Sequence, residues 1–368
     1  DKTTIARNLK KLDDQGYIKR IKREYDKRSY SIEITEKSLK IKNKLYRILH
    51  SWEEKLNSCL TNDESKQEEQ YNWFVNPDSK TRPFAVMINC HNNALPQSNV
   101  DKAYIVYELM VEGGITRMMA LYKDVDVDKI GSVRSARSQY LGYVLENDAI
   151  YVSAGGSNEG INAINKLGVN RMDVDNSNYG IRDKSLKRDW EHTLFTSTEK
   201  LKLAAKNYNY KTTTDKGLLL NYSKDELDLS KYTSAKEANN ISIKYSGYRT
   251  SKYSYDADSK SYLRFMNSTK NVDLNSGEQY KVKNIIVYGV NYSTFSSDGY
   301  WGYQKIDNIG SGEGYYITNG HAVPITWSKK DLNSKTVYKI KETNEELVVN
   351  NGNTYIQIYP KGNNFSIK

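Results

Sequence analysis

The run Ala149-Ile150-Tyr151-Val152-Ser153-Ala154-Gly155-Gly156-Ser157 decides the fold of most of this chain. Its β-branched and aromatic residues predict a strand, the two glycines a turn, and Ser157 to Leu167 a helix. The same alternation spreads outward. Phe84 to Asn89 and Thr116 to Tyr122 read as strands and Ser135 to Leu145 as a helix. Val100 to Met110 reads as a helix too, because Ala103, Val106, Tyr107 and Met110 share one helical face before Gly113-Gly114 breaks the pattern. Residues 82–210 are therefore expected to form an α/β domain. Beyond Tyr210 the runs Ser251 to Tyr255, Tyr262 to Met266, Ile285 to Val290, Gly314 to Thr318, Ala322 to Trp327 and Thr354 to Tyr359 predict a β-rich domain over 211–368. The main module is α+β overall. Its many tyrosines suit half-exposed strands, with a sugar-stacking platform as the alternative.

With 368 residues, 38% hydrophobic and 27% charged, the chain is globular and long enough for two or three domains. Its net charge of +10 suits an anionic partner such as nucleic acid, a lipid surface or a cell-wall polymer. Residues 1–50 hold 15 basic and 7 acidic side chains, whereas residues 51–70 hold 2 and 6. The basic region is thus the first fifty residues. Cys59 and Cys90 lack metal or redox spacing and read as free thiols. No run of about 18 apolar residues occurs, and no signal segment opens the chain.

Thr3 to Gln15 carries Ile5, Leu9 and Leu12 at helical spacing, with Gly16 where a C-cap belongs. Tyr17 to Ile21 and Tyr30 to Ile34 predict a hairpin with a basic tip, and residues 35–62 a long helix. This order, with Asp1-Lys2-Thr3-Thr4, Gly16-Tyr17-Ile18, Asp26-Lys27-Arg28 and Ile34-Thr35-Glu36-Lys37, resembles MarR-type transcriptional regulators over residues 1–64. The resemblance implies a truncated winged helix whose first helix enters the major groove and whose wing reaches the neighbouring minor groove. Lys2, Thr3, Arg7, Lys10, Lys11, Lys22, Arg23 and Arg28 are the expected DNA contacts, since phosphate binding needs cationic side chains on a groove-sized protrusion. The family's upstream helices are missing from the match. A polar linker, 65–81, follows.

Four histidines, His50, His91, His192 and His321, form no i, i+4 pair, so no metal motif or cofactor is expected. Gly155 to Gly160 departs from a nucleophile elbow at Glu159. Gly310-Ser311-Gly312-Glu313-Gly314 departs from a dinucleotide fingerprint and reads as a hairpin turn. Glu108 and Glu112, four apart on the expected helix, would share a face as an acid/base pair, or else serve as ordinary salt-bridged carboxylates. Arg117, Arg134 and Arg137 with Gly155, Gly156 and Ser157 would build an anion pocket, unless the arginines pair with Glu108, Glu112 or Asp148 in the core.

Those residues also carry a second resemblance. Arg82-Pro83, Val111-Glu112-Gly113-Gly114-Ile115-Thr116-Arg117, Gly131-Ser132-Val133-Arg134-Ser135-Ala136-Arg137, His192, Tyr262, Arg264, Gly310-Ser311-Gly312 and Thr326-Trp327 resemble the YerB-like family of bacterial lipoproteins over about 82–360. It implies an extracytoplasmic, lipid-anchored protein with an α/β domain followed by a β-rich one. Here a partial winged helix stands where the signal peptide and lipid-carrying cysteine are expected, which in a natural fusion implies the cytoplasm. The expected function is binding of an anionic envelope ligand, a peptidoglycan or teichoic acid fragment, through the arginines, the glycine turn and His192. The alternatives are a transcriptional regulator with a ligand-sensing module, with DNA held by residues 1–50, and a glycan or peptide hydrolase using Glu108 and Glu112. The sequence leaves the oligomeric state open.

Overall fold

Gly16 ends the first helix as its position predicts, with φ of 71° and its N–H donating to the Asp13 carbonyl at 2.9 Å. The computed structural model describes residues 2–22, 30–38, 72–297 and 299–368. The chain divides into two units, 1–70 and 71–368. In the first, helix Lys2–Asp14 precedes the antiparallel strands Ile18–Lys22 and Tyr30–Ile34, paired from Ile18↔Ile34 to Lys22↔Tyr30. Thr35 Oγ1 donates to the Gly16 carbonyl at 2.8 Å, fixing the return of the hairpin against the helix end. The expected long helix beyond Ser38 lies outside the described residues.

The second unit is built on an eleven-stranded mixed sheet. From Gly310–Thr318 it runs through Asn284–Val290, Thr354–Pro360, Ile105–Met110, Thr116–Tyr122, Phe84–Asn89 and Ile150–Ser153 to the edge strand Arg171–Asp173. Thr354–Pro360 is parallel to both neighbours, so a strand from the C-terminal half joins the two halves into one sheet. Side chains alternate between two cores, as the strand period of two demands. Ala85 and Met87 face Tyr140, Leu141, Tyr143 and Ile164 from helices and turns on one side. Val86 and Ile88 belong with Leu201 and Ala205 of helix Thr198–Asn207 and with Ile241 and Tyr253 of a second, six-stranded sheet.

The predicted strands at 84–89, 116–122 and 149–154 are present, as are those of the β-rich part, several with longer bounds. Helix Asn158–Lys166 follows the glycine turn, with Ser157 as its N-cap accepting from the Gly160 N–H at 3.1 Å. The expected helix over 135–145 is shorter, a 3₁₀ turn Ser138–Tyr140 continuing as helix Leu141–Glu146. The helix expected over 100–110 is absent. Val100–Lys102 is a 3₁₀ turn and Ile105–Met110 a strand buried on both faces. Of the expected linker 65–81, residues 65–71 lie outside the described residues. The remainder packs on the second unit: Val75 is buried, and the Phe74 N–H donates to Asn351 Oδ1 at 2.8 Å.

Candidate functional site

Strands Asn284–Val290, Thr354–Pro360, Ile105–Met110, Phe84–Asn89 and Ile150–Ser153 all point the same way, so their carboxyl ends share one edge of the sheet. Open sheets with parallel strands bind ligands along such an edge. Glu112, in the turn Glu112–Gly114 after Ile105–Met110, lies there with Arg117, at the start of the antiparallel return strand. Segment 134–137 runs alongside: Arg134 donates from its backbone to the Met87 carbonyl at 2.9 Å, and Ala136 to the Gly155 carbonyl at 3.0 Å.

Two arginines converge on one carboxylate. Arg137 holds Glu112 in a bidentate pair, with Nε donating to Oε2 at 3.0 Å and Nη2 to Oε1, and Arg117 Nη2 adds a contact to Oε1 at 3.3 Å. Arg117 is buried and also donates through Nη1 to the Ser135 carbonyl at 2.6 Å. Arg137 lies over the Tyr303 ring, 5.5 Å from its centroid. Burial acts to raise the Glu112 carboxyl, but the Arg137 hydrogen bonds and both guanidinium charges outweigh it and bring it from 4.5 to about 2. Burial and then the neighbouring charge of Arg137, with a smaller push from Arg134, bring Arg117 down to about 10.

Arg134 turns aside. Its Nη2 donates to Glu191 Oε2 at 2.8 Å. His192, beside Glu191, is buried, bonded through Nδ1 to the Asn89 amide at 2.9 Å and stacked on His91 at 5.0 Å. It orders this end of the sheet and is shielded from a ligand. Gly155 and Gly156 lie against Ala136, next to Arg137 in sequence, and Gly155 N–H donates to Asp173 Oδ1 at 3.0 Å.

Glu108 and Glu112 do not share a helix face, because Ile105–Met110 is a strand. The Glu108 carboxylate is fully buried, paired with Arg264 at 2.9 Å and accepting from Thr116 Oγ1 at 2.7 Å and Ser251 Oγ at 3.0 Å. Burial favours its neutral form, yet the Arg264 charge and these hydrogen bonds outweigh it and lower its pKa. It pins the main sheet to the second one and has no access to a substrate. Sequence reasoning missed this network and a second one, Glu146 with Lys329, Thr336 and Tyr107. In both, the cationic partner comes from far along the chain, which spacing cannot reveal.

Arg7, Lys10 and Lys11 are exposed on helix Lys2–Asp14, which also holds Lys2 and Thr3. Lys22 ends strand Ile18–Lys22, and Arg23 and Arg28 lie outside the described residues. No described helix is long and apolar enough to cross a membrane. Among the described residues no group of three or more His, Cys, Asp or Glu could hold a metal ion.

A two-part module with one shared sheet, preceded by a helix and wing, defines the class. Residues 72–211 match the N-terminal domain, and residues 241–356 the C-terminal domain, of a protein family of unknown function (DUF3048), while residues 1–38 match a winged helix DNA-binding domain. The chain belongs, over this larger module, to the YerB-like family. It is 28% identical over 288 residues to YerB of Bacillus subtilis (strain 168), whose name describes a candidate lipoprotein, covering 77% of this chain and 82% of that protein. The crystal structure of Bacillus subtilis YerB superposes with a TM-score of 0.66 at 25% identity, covering 82% of this chain and 97% of the other. The N-terminal part is 36% identical over 67 residues to the HTH-type transcriptional regulator BilQ of Clostridium symbiosum (strain WAL-14163), covering 18% of this chain and 46% of that protein.

Proposed function

We propose that the YerB-like module binds an anionic envelope ligand, a peptidoglycan or teichoic acid fragment, at the sheet edge formed by Arg117, Arg134, Arg137 and the Gly155-Gly156-Ser157 turn. The observation that carries this reading is the sharing of one carboxylate, Glu112, by two guanidinium groups, one of them buried, at the carboxyl end of the strands. One positive charge remains in excess there, and a ligand anion that displaces Glu112 or Glu191 would balance it. The likeness to YerB, described as a lipoprotein, supports an envelope setting. Catalysis through Glu108 and Glu112 has no support in this geometry, since both carboxylates are committed to arginines.

The test is titration calorimetry of the chain with a glycerol phosphate oligomer and with a muramyl peptide. Saturable binding of one of them is expected, weakened about tenfold in Arg134→Lys with an unchanged melting temperature, because the charge remains and the planar fork is lost. Absence of saturable binding, or equal binding by Arg134→Ala, would refute the assignment. For residues 1–50 we infer contact with DNA phosphates, on the strength of the winged-helix match and the exposed Arg7, Lys10 and Lys11.

A further inference from the structure

The same edge of the sheet carries a further opening, which none of the three arginines lines. A groove of about 820 Å³ lies beyond the ends of strands Asn284–Val290 and Thr354–Pro360, floored by Gly289, Gly310 and Gly312 and flanked by Tyr359 and Trp327. Its size falls within the range of small-molecule and oligomer sites. Its charged lining cancels, with Lys305 and Lys361 against Asp307 and Glu313, and Asn308 and Ser311 add neutral donors and acceptors. Glu313 is in addition paired with Lys341 at 2.7 Å, so the lining carries both signs of charge with no large excess of either. It matches a ligand that both donates and accepts along its length.

A second observation points the same way. Trp327 is 4% exposed and packs on Tyr288 with ring centroids 5.0 Å apart, yet its indole nitrogen has no hydrogen-bond partner. A buried indole N–H normally finds one, because leaving it unpaired costs the desolvation of the donor. Gly312 stands across from it in the register Gly312↔Trp327, and a Cβ there would lie 2.7 Å from the nitrogen. Glycine there lets the indole nitrogen pack directly against the strand backbone, and both residues line the groove.

We propose that this groove is a binding site for a neutral oligosaccharide segment, with the Trp327 indole N–H donating to a sugar oxygen that passes over Gly312. The charge-balanced lining supplies partners for the remaining hydroxyls, and Tyr359 offers an aromatic flank for a sugar ring. This site goes beyond the arginine cluster and does not depend on it.

The experiment titrates the whole chain with chitotetraose and follows the tryptophan indole resonances by nitrogen-labelled NMR, with the Trp327 signal assigned by its loss in Trp327→Phe. A saturable shift of that one resonance is expected. Trp327→Phe should bind about three- to tenfold more weakly, by the loss of one neutral hydrogen bond. Gly312→Ala should abolish binding, and if that variant fails to fold, Trp327→Phe alone decides. A Trp327 resonance that does not move at millimolar sugar, or undiminished affinity in Trp327→Phe, overturns the proposal. Arg134→Lys should leave chitotetraose binding intact while weakening the glycerol phosphate oligomer, so the two assignments fail separately. Loss of sugar binding in Arg134→Lys would overturn the independence of the groove.

Discussion

Glu108 and Arg264 are both fully shielded from solvent, and each is the charge that makes the other tolerable. Arg264→Met is expected to cost about 3–5 kcal/mol in urea unfolding, because an uncompensated carboxylate stays buried. The double change Glu108→Met with Arg264→Met should recover most of that loss, and a double variant no more stable than the single one would show that the pair is not the cause. Glu112 gives a pH signature. Its folded carboxyl lies at about 2 against an ordinary 4.5, so its contribution is fully present above about pH 4.5 and is lost as the pH falls toward 2. Acid unfolding of Glu112→Gln should therefore show a flatter decline than the parent between these values. Parallel curves would mean that the Arg137 pair adds nothing net.

At the scale of elements, strand Thr354–Pro360 holds the second unit together. It lies between Asn284–Val290 and Ile105–Met110, so a proline at Ile356, in mid-strand, removes a ladder donor from the middle of the sheet. Ile356→Pro is expected to abolish the cooperative unfolding of residues 72–368 as a whole. A surviving transition of the N-terminal half would contradict this. The sequence made the outer elements readable where a glycine turn or a cap punctuates them: Gly16, the Gly155-Gly156 pair and Ser157 all act as their positions imply. It misled over Ile105–Met110, because a strand buried on both faces loses the alternation that marks strands, and Val106, Tyr107 and Met110 then mimic a helical stripe. That one misreading put Glu108 and Glu112 on a common face. The position of Arg117 and Arg137 at element ends was legible, as was the alternative in which they pair with Glu112, while Arg134, expected beside them, turns to Glu191; the groove around Trp327 was not, because its walls come from five separate strands and the loops between them.

Across the whole molecule the two units carry net charge of the same sign, +4 over residues 1–70 and +6 over 71–368. Residues 72–368 are expected to fold when expressed alone, with one cooperative thermal transition, because both cores lie wholly within them. Duplex DNA binding should then be absent from that piece and present in the whole chain, falling steeply with added salt as phosphate neutralisation requires. Equal DNA binding by both would move the contact to the larger unit. The strand that joins the halves also sets a clock. Gln357 sits beside Glu108 in the sheet, so a ribosome releases this strand only after nearly all the rest of the unit. Until then the edge of Ile105–Met110 stays open and the long-range ladder cannot close. A chain wired in this order cannot complete its main sheet until its synthesis is nearly over.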